Sequence, residues 1–180
     1  MNLKYVILPF LLLFILGCVS KPAQLVQSEK SHFEISFKVD NANQENPILS
    51  FSIDLDTGFY YVSPYSEGFH QRLLFSVEKS DSLKLQGELL ESPRSIWEYD
   101  EFSKKEGLFV RNSTTYSQEL RIHSSNDFKI KGLIWLGLLP INQPYEVNFN
   151  LSYASEELQV KDVRTTPSTY PTFYDNKRLD

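Results

Sequence analysis

Cys18 is the only cysteine among 180 residues, and a solitary thiol limits what sulfur can do in this chain. It can neither close a disulfide within the chain nor assemble a Cys-ligated zinc site. His32, His70 and His123 fall in separate segments with no short-range ligand spacing, so neither a metal nor a cofactor is expected. The most suggestive acids are the neighbours Asp100 and Glu101, flanked by Trp97, Tyr99 and Phe102. Sugar hydrolysis uses two carboxylates about 5–9 Å apart beside aromatic platforms. Adjacent residues on an extended segment point opposite ways, so these two would not pair with each other. The simpler reading is a solvated loop whose aromatics cover the edge of the domain. Asp54 and Asp56, two apart before Gly58, could meet a cation such as calcium with added ligands, or simply end a polar strand. Serines are plentiful, but there is no G-x-S-x-G elbow and no phosphate-cradling glycine loop. No catalytic residue is expected.

Aromatic density is the remaining chemical feature. Phe59, Tyr60, Tyr61, Tyr65 and Phe69 fall close together, interrupted by Pro64 and Gly68. On a strand, Phe59 and Tyr61 share one face and Tyr60 takes the other, so one set must point away from the core. Exposed tyrosines suit protein contacts because they join a large apolar area to a polar tip. Tyr60, Tyr61, Tyr65 and Phe69 are therefore a candidate interaction surface, with outer-face packing as the alternative.

Residues 1–17, MNLKYVILPFLLLFILG, combine a single basic residue, Lys4, with an apolar run from Tyr5 to Leu16. A run this short, broken by Pro9, suits a signal-peptide core better than a bilayer span of about 20 residues. Ile15-Leu16-Gly17-Cys18 resembles the lipobox of bacterial lipoprotein signal peptides. That resemblance implies cleavage before Cys18 and acylation of its sulfur. Each buried methylene contributes about 0.8 kcal/mol, so one acyl chain holds marginally and several hold firmly. Residues 18–31 then form a lipidated tether. Val19 and Ser20 follow the cysteine without an aspartate or an acidic run, which favours an outer-membrane anchor facing the periplasm. Without residues 1–17 the chain carries 17 basic and 23 acidic side chains. That balance does not favour nucleic acid, which calls for clustered Lys and Arg.

From His32 onward the apolar period is two. Phe33, Ile35, Phe37 and Val39 alternate with polar residues, as do Leu49, Phe51, Ile53 and Leu55. QRLLFSVEK, LKLQGEL, TTYSQELRIH and YEVNFNLSY repeat the pattern, while FKIKGLIWLGLL is apolar on both parities after Gly132, as a strand covered on both faces would be. Asn- and Asp-rich stretches separate these runs as turns. Residues 91–107 read as a long connection. About eight strands in this pattern predict an all-β, immunoglobulin-like antiparallel sandwich over residues 32–155, with a closed barrel as the alternative. Residues 156–180, thinner in apolar content and holding two prolines, are expected to be a mobile tail. Its Tyr170, Phe173 and Tyr174 could dock on the domain or on a partner.

Six segments in order resemble the N-terminal periplasmic domain of the disulfide reductase DsbD and related disulfide bond corrector domains. They are GFYYVSP (58–64), ELLESP (88–93), EYDEF (98–102), TTYSQELRI (114–122), KGLIWLGLLP (131–140) and YEVNFNLSY (145–153). The resemblance spans residues 33–153 and implies an immunoglobulin-like fold in the periplasm. It also implies electron transfer through a cysteine pair near the last strands. Here that region reads GLIWLGLLPINQPYEVNF, with no cysteine. Disulfide exchange needs a thiolate attacking a sulfur, so the family's activity does not carry over. The expectation is a non-enzymatic, lipid-anchored envelope protein that contacts the membrane through its lipid and binds a protein partner. The alternatives are a binder of a small apolar or sugar ligand, and an enzyme using Asp100 or Glu101.

Overall fold

Alternating apolar residues place one face of each strand against a common core, and the computed structural model, which describes residues 31–169, builds eleven such strands. They are β1 (Phe33–Asp40), β2 (Ile48–Leu55), β3 (Tyr60–Val62), β4 (Leu74–Val77), β5 (Leu83–Ser92) and β6 (Ile96–Asp100), followed by β7 (Lys105–Val110), β8 (Thr114–Ile122), β9 (Phe128–Leu139), β10 (Gln143–Ala154) and β11 (Glu157–Pro167). One sheet has four strands in the order β1-β2-β8-β5. The other has seven, running β11-β10-β9-β3-β7-β6, with β4 paired to β9 off that path. Every strand pairing is antiparallel. The chain is thus an immunoglobulin-like β-sandwich with separate sheet edges, and a closed barrel does not form.

The core lies between the sheets. Leu49, Phe51 and Ile53 from β2 and Tyr116 and Leu120 from β8 meet Ile134, Leu136 and Leu138 from β9 and Val147, Phe149 and Leu151 from β10. All are essentially inaccessible to solvent, and each such side chain contributes about 1.5–3 kcal/mol by leaving water. The ring of Phe149 lies directly over Gly132 of β9, where any side chain would collide with it. The doubly apolar run of β9 is buried continuously from Ile134 to Leu139.

Two expectations need correction. Residues 91–107 are not a long connection, because β5 ends at Ser92 and a β6–β7 hairpin occupies 96–110. The polar parity of IWEYD hid a strand whose apolar residues are exposed. The tail does not begin at residue 156 either, since β11 pairs with β10 from Glu157 to Pro167. Buried Leu158 and half-buried Val160 anchor it, and the backbone ladder holds a strand that hydropathy alone does not mark. Tyr170, Phe173 and Tyr174 lie outside the described residues, as does everything proposed for residues 1–30.

Candidate functional site

The four candidate surface aromatics are dispersed by the fold. β3 carries three consecutive buried residues, and its two faces enter different cores. Tyr61 points into the main core, whereas Tyr60 and Val62 join Phe69, Phe109 and Leu139 in a second small cluster. The 63–73 loop brings Phe69 edge-on to Phe109, with ring centroids 5.4 Å apart. Tyr60, Tyr61 and Phe69 are buried, so they are not a surface; a second core on the outer sheet face takes up the parity that seemed to require exposure. Only Tyr65 is exposed, at 42%. Burial, followed by the charges of Glu91 and Glu88, raises the pKa of its phenol.

The second cluster encloses a polar network. Tyr60 Oη donates to Asp100 Oδ1 at 2.6 Å, and the Ser103 backbone N–H donates to Oδ2 at 2.7 Å. Arg111 Nη2 reaches Asp100 Oδ1 at 3.2 Å, while its Nε donates to Glu98 at 2.5 Å. The Arg111 guanidinium lies 3.9 Å from the centre of the Tyr60 ring, close enough for a cation–π attraction. Burial pushes the Asp100 carboxyl up, but the hydrogen bonds from Tyr60 and Ser103 and the Arg111 charge outweigh it and hold the group below its usual range. Burial and the same bond to Asp100 push Tyr60 up to about 12. Glu101 instead turns to solvent and pairs with Lys104 at 2.7 Å. The two neighbouring acids do not converge, and Asp100 is occupied as an internal strut.

A second network crosses the main core. The Tyr61 and Tyr116 hydroxyls share a hydrogen bond of 3.1 Å, and Tyr116 donates to Glu91 at 2.8 Å. The other Glu91 oxygen accepts from the Ser95 backbone N–H and hydroxyl at 3.0 and 2.8 Å. These bonds hold the link between β5 and β6. Sequence reading missed the roles of Arg111, Glu91 and Ser95, because nothing local joins residues that long loops bring together.

Asp54 and Asp56 do not form a cation site. Asp54 lies exposed on β2, and Asp56 bonds to the His32 ring at 3.3 Å. His32 also stacks on Phe59. Among the described residues, no group of three or more His, Cys, Asp or Glu could hold a metal.

Exposed apolar residues gather instead on β6. Ile96 is 68% exposed, Trp97 62%, Tyr99 51%, and Phe102 in the following turn 51%. Trp97 pairs with Leu108 and Tyr99 with Glu106. By register they share the sheet face of Val110 and Tyr61, which elsewhere packs on the smaller sheet. At this end the seven-stranded sheet outruns the four-stranded one, so the two rings have nothing over them. The alternation of Trp97 and Tyr99 against Glu98 and Asp100 was the available sequence signal.

No protein-family model matches the sequence, and no curated protein matches it. Among solved structures, similarity is found to a chain of the complex between the DsbD N-terminal and PilB N-terminal domains from Neisseria meningitidis. It covers 80% of this chain and 85% of that one, at 12% identity and a TM-score of 0.33. That neighbour is the DsbD N-terminal domain. The present chain holds one cysteine in all, Cys18, which lies outside the described residues.

Proposed function

We propose that this protein is a lipid-anchored component of the bacterial envelope whose β-sandwich is a non-enzymatic protein-interaction module. The observation that carries the reading is the exposed set Ile96, Trp97, Tyr99 and Phe102 on one sheet edge. Scattered single apolar residues are ordinary on a surface, whereas a contiguous group marks a contact site. The anchor rests on the order of Lys4, the apolar core, Gly17 and Cys18; an outer-membrane, periplasm-facing location follows from Val19 and Ser20. The interaction surface sits on β6 and its turn, in place of Tyr60, Tyr61 and Phe69.

Two experiments test this reading. Replacing Cys18 by Ser is expected to abolish acylation, detected by metabolic labelling with palmitate, and to shift the protein from the membrane to the soluble fraction. A photo-crosslinking amino acid introduced in turn at positions 38, 97, 121 and 161 of the anchored protein is expected to trap a discrete protein adduct from position 97. An unmodified Cys18 thiol in the purified native protein would remove the anchor, and the absence of any adduct from all four positions would remove the module.

A second reading has its own observation. An open groove of about 560 Å³ lies between β1 and β11, lined by Ile35, Phe37, Val39, Leu158, Val160 and Val163. It suits a small apolar ligand, and native mass spectrometry of the purified protein would reveal one as a stoichiometric added mass.

A further inference from the structure

The four strands that end the two sheets differ in how their free edges are guarded. An unpaired edge is a template for another chain, and natural proteins blunt it with lysines, bulges or charges. β1 carries Lys38, with Glu34 and Asp40 on the same exposed face. β5 carries Lys84 and breaks its register between Gln86 and Leu90, around Gly87 at φ +69°. β11 carries Lys161 and Arg164 and bulges at Asp162, whose φ is 56°. β6 has none of these devices. Its five residues pair with β7 without a register break, and it contains neither lysine, arginine, proline nor glycine. Its two charges, Glu98 and Asp100, turn to the outer face, where Arg111 and Tyr60 engage them.

From this contrast we infer that β6 is a strand-addition site. An extended segment of another protein pairs with its free backbone edge and lays apolar side chains against Trp97 and Tyr99. This rests on the interaction-module reading and specifies its mode. Strand addition takes affinity from main-chain hydrogen bonds and selectivity from alternate side chains. On the overhanging face the added strand meets Trp97 and Tyr99, so β-branched or aromatic residues fit there. On the other face it runs past Glu98, with Glu101 and Glu106 nearby, in a domain where residues 31–169 carry 20 acidic against 13 basic side chains. Lysine or arginine at the alternate positions complements that charge. A second copy fits poorly: antiparallel pairing centred on Glu98 sets that carboxylate opposite its own copy and Ile96 opposite Asp100.

The test uses the acylated full-length protein in detergent, labelled with ¹⁵N, and two capped seven-residue peptides. One alternates valine with lysine and the other valine with glutamate. The lysine peptide is expected to shift the amide signals of residues 96–100 and to quench Trp97 fluorescence. The glutamate peptide should bind at least tenfold more weakly. Tyr99→Lys installs the guard present on the other edges at an exposed position and is expected to weaken binding at least tenfold. Of Glu98 and Tyr99, one turns its backbone N–H and C=O outward, because antiparallel residues alternate in this respect. Proline at that position should abolish the shifts while leaving the thermal midpoint within a few degrees of the parent.

Strand addition is overturned by shifts centred away from β6, by the absence of binding, by tolerance of Tyr99→Lys, or by a β6-mediated dimer in sedimentation. An adduct trapped from position 97, together with peptides that do not bind β6, would sink strand addition and leave the interaction module standing.

Discussion

Asn41 and Leu158 hold the two sheets together where both have free edges. Leu158 donates its backbone N–H to Asn41 Oδ1 at 3.1 Å, and Asn41 Nδ2 donates back to the Leu158 carbonyl at 3.1 Å. The side-chain amide thus imitates a strand backbone across 117 positions of sequence, joining the end of β1 to the start of β11. Leu158 is fully buried, so its amide would be left without a partner if Asn41 were shortened. Asn41→Ala is expected to lower stability by about 2 kcal/mol, read from the urea midpoint. Amide exchange should rise most at residues 157–160.

Asp100 should make stability depend on acid. Its carboxyl is held below the usual range in the folded chain, so folding favours the ionised form. That contribution is complete above the unfolded value of about 3.9 and declines as pH falls through the folded value. Asp100→Asn keeps the shape and removes the charge. It is expected to cost about 2 kcal/mol at neutral pH, with the difference from the parent shrinking once the pH is taken below about 3. Urea titrations at several pH values measure this. A constant difference would mean that Asp100 acts by shape alone.

The buried phenols should act in the alkaline range. Tyr60 is pushed up to about 12 by burial and by its bond to Asp100. Burial raises Tyr61 and Tyr116 as well. The folded chain therefore keeps protons that the unfolded chain releases near pH 10, and stability falls as pH rises from about 10 towards 12. Phenolate absorbance should rise in two stages, exposed tyrosines first and the buried set together with unfolding. Tyr60→Phe should narrow the second stage by one phenol.

Gly132 is occupied by glycine because of Phe149. The ring covers the position where a methyl group would stand, in a core that has no room to adjust. Gly132→Ala is expected to destabilise the domain by about 1–3 kcal/mol. Adding Phe149→Leu should recover part of that loss, because the two changes share one space. Thermal denaturation of the two single variants and the pair gives the coupling directly.

Much of the sandwich could be read along the chain. Period-two alternation in β1, β2, β8 and β10 marks strands because one buried face requires it. The doubly apolar β9 announced burial on both sides. The N-terminal motif around Cys18 is likewise local, and its chemistry needs no fold. What tertiary structure decided was the neighbours of each face. Tyr60 and Phe69 became core because a loop folds over the outer face of the sheet, and Asp100 became a buried strut because Arg111 and Tyr60 reach it. Trp97 and Tyr99 stayed exposed because the larger sheet runs past the smaller. β11 is held by its ladder with β10, which leaves almost no hydrophobic trace in its own residues. Alternation specifies that a strand has two faces; whether each meets protein or water depends on segments far away in sequence, and only packing brings those together.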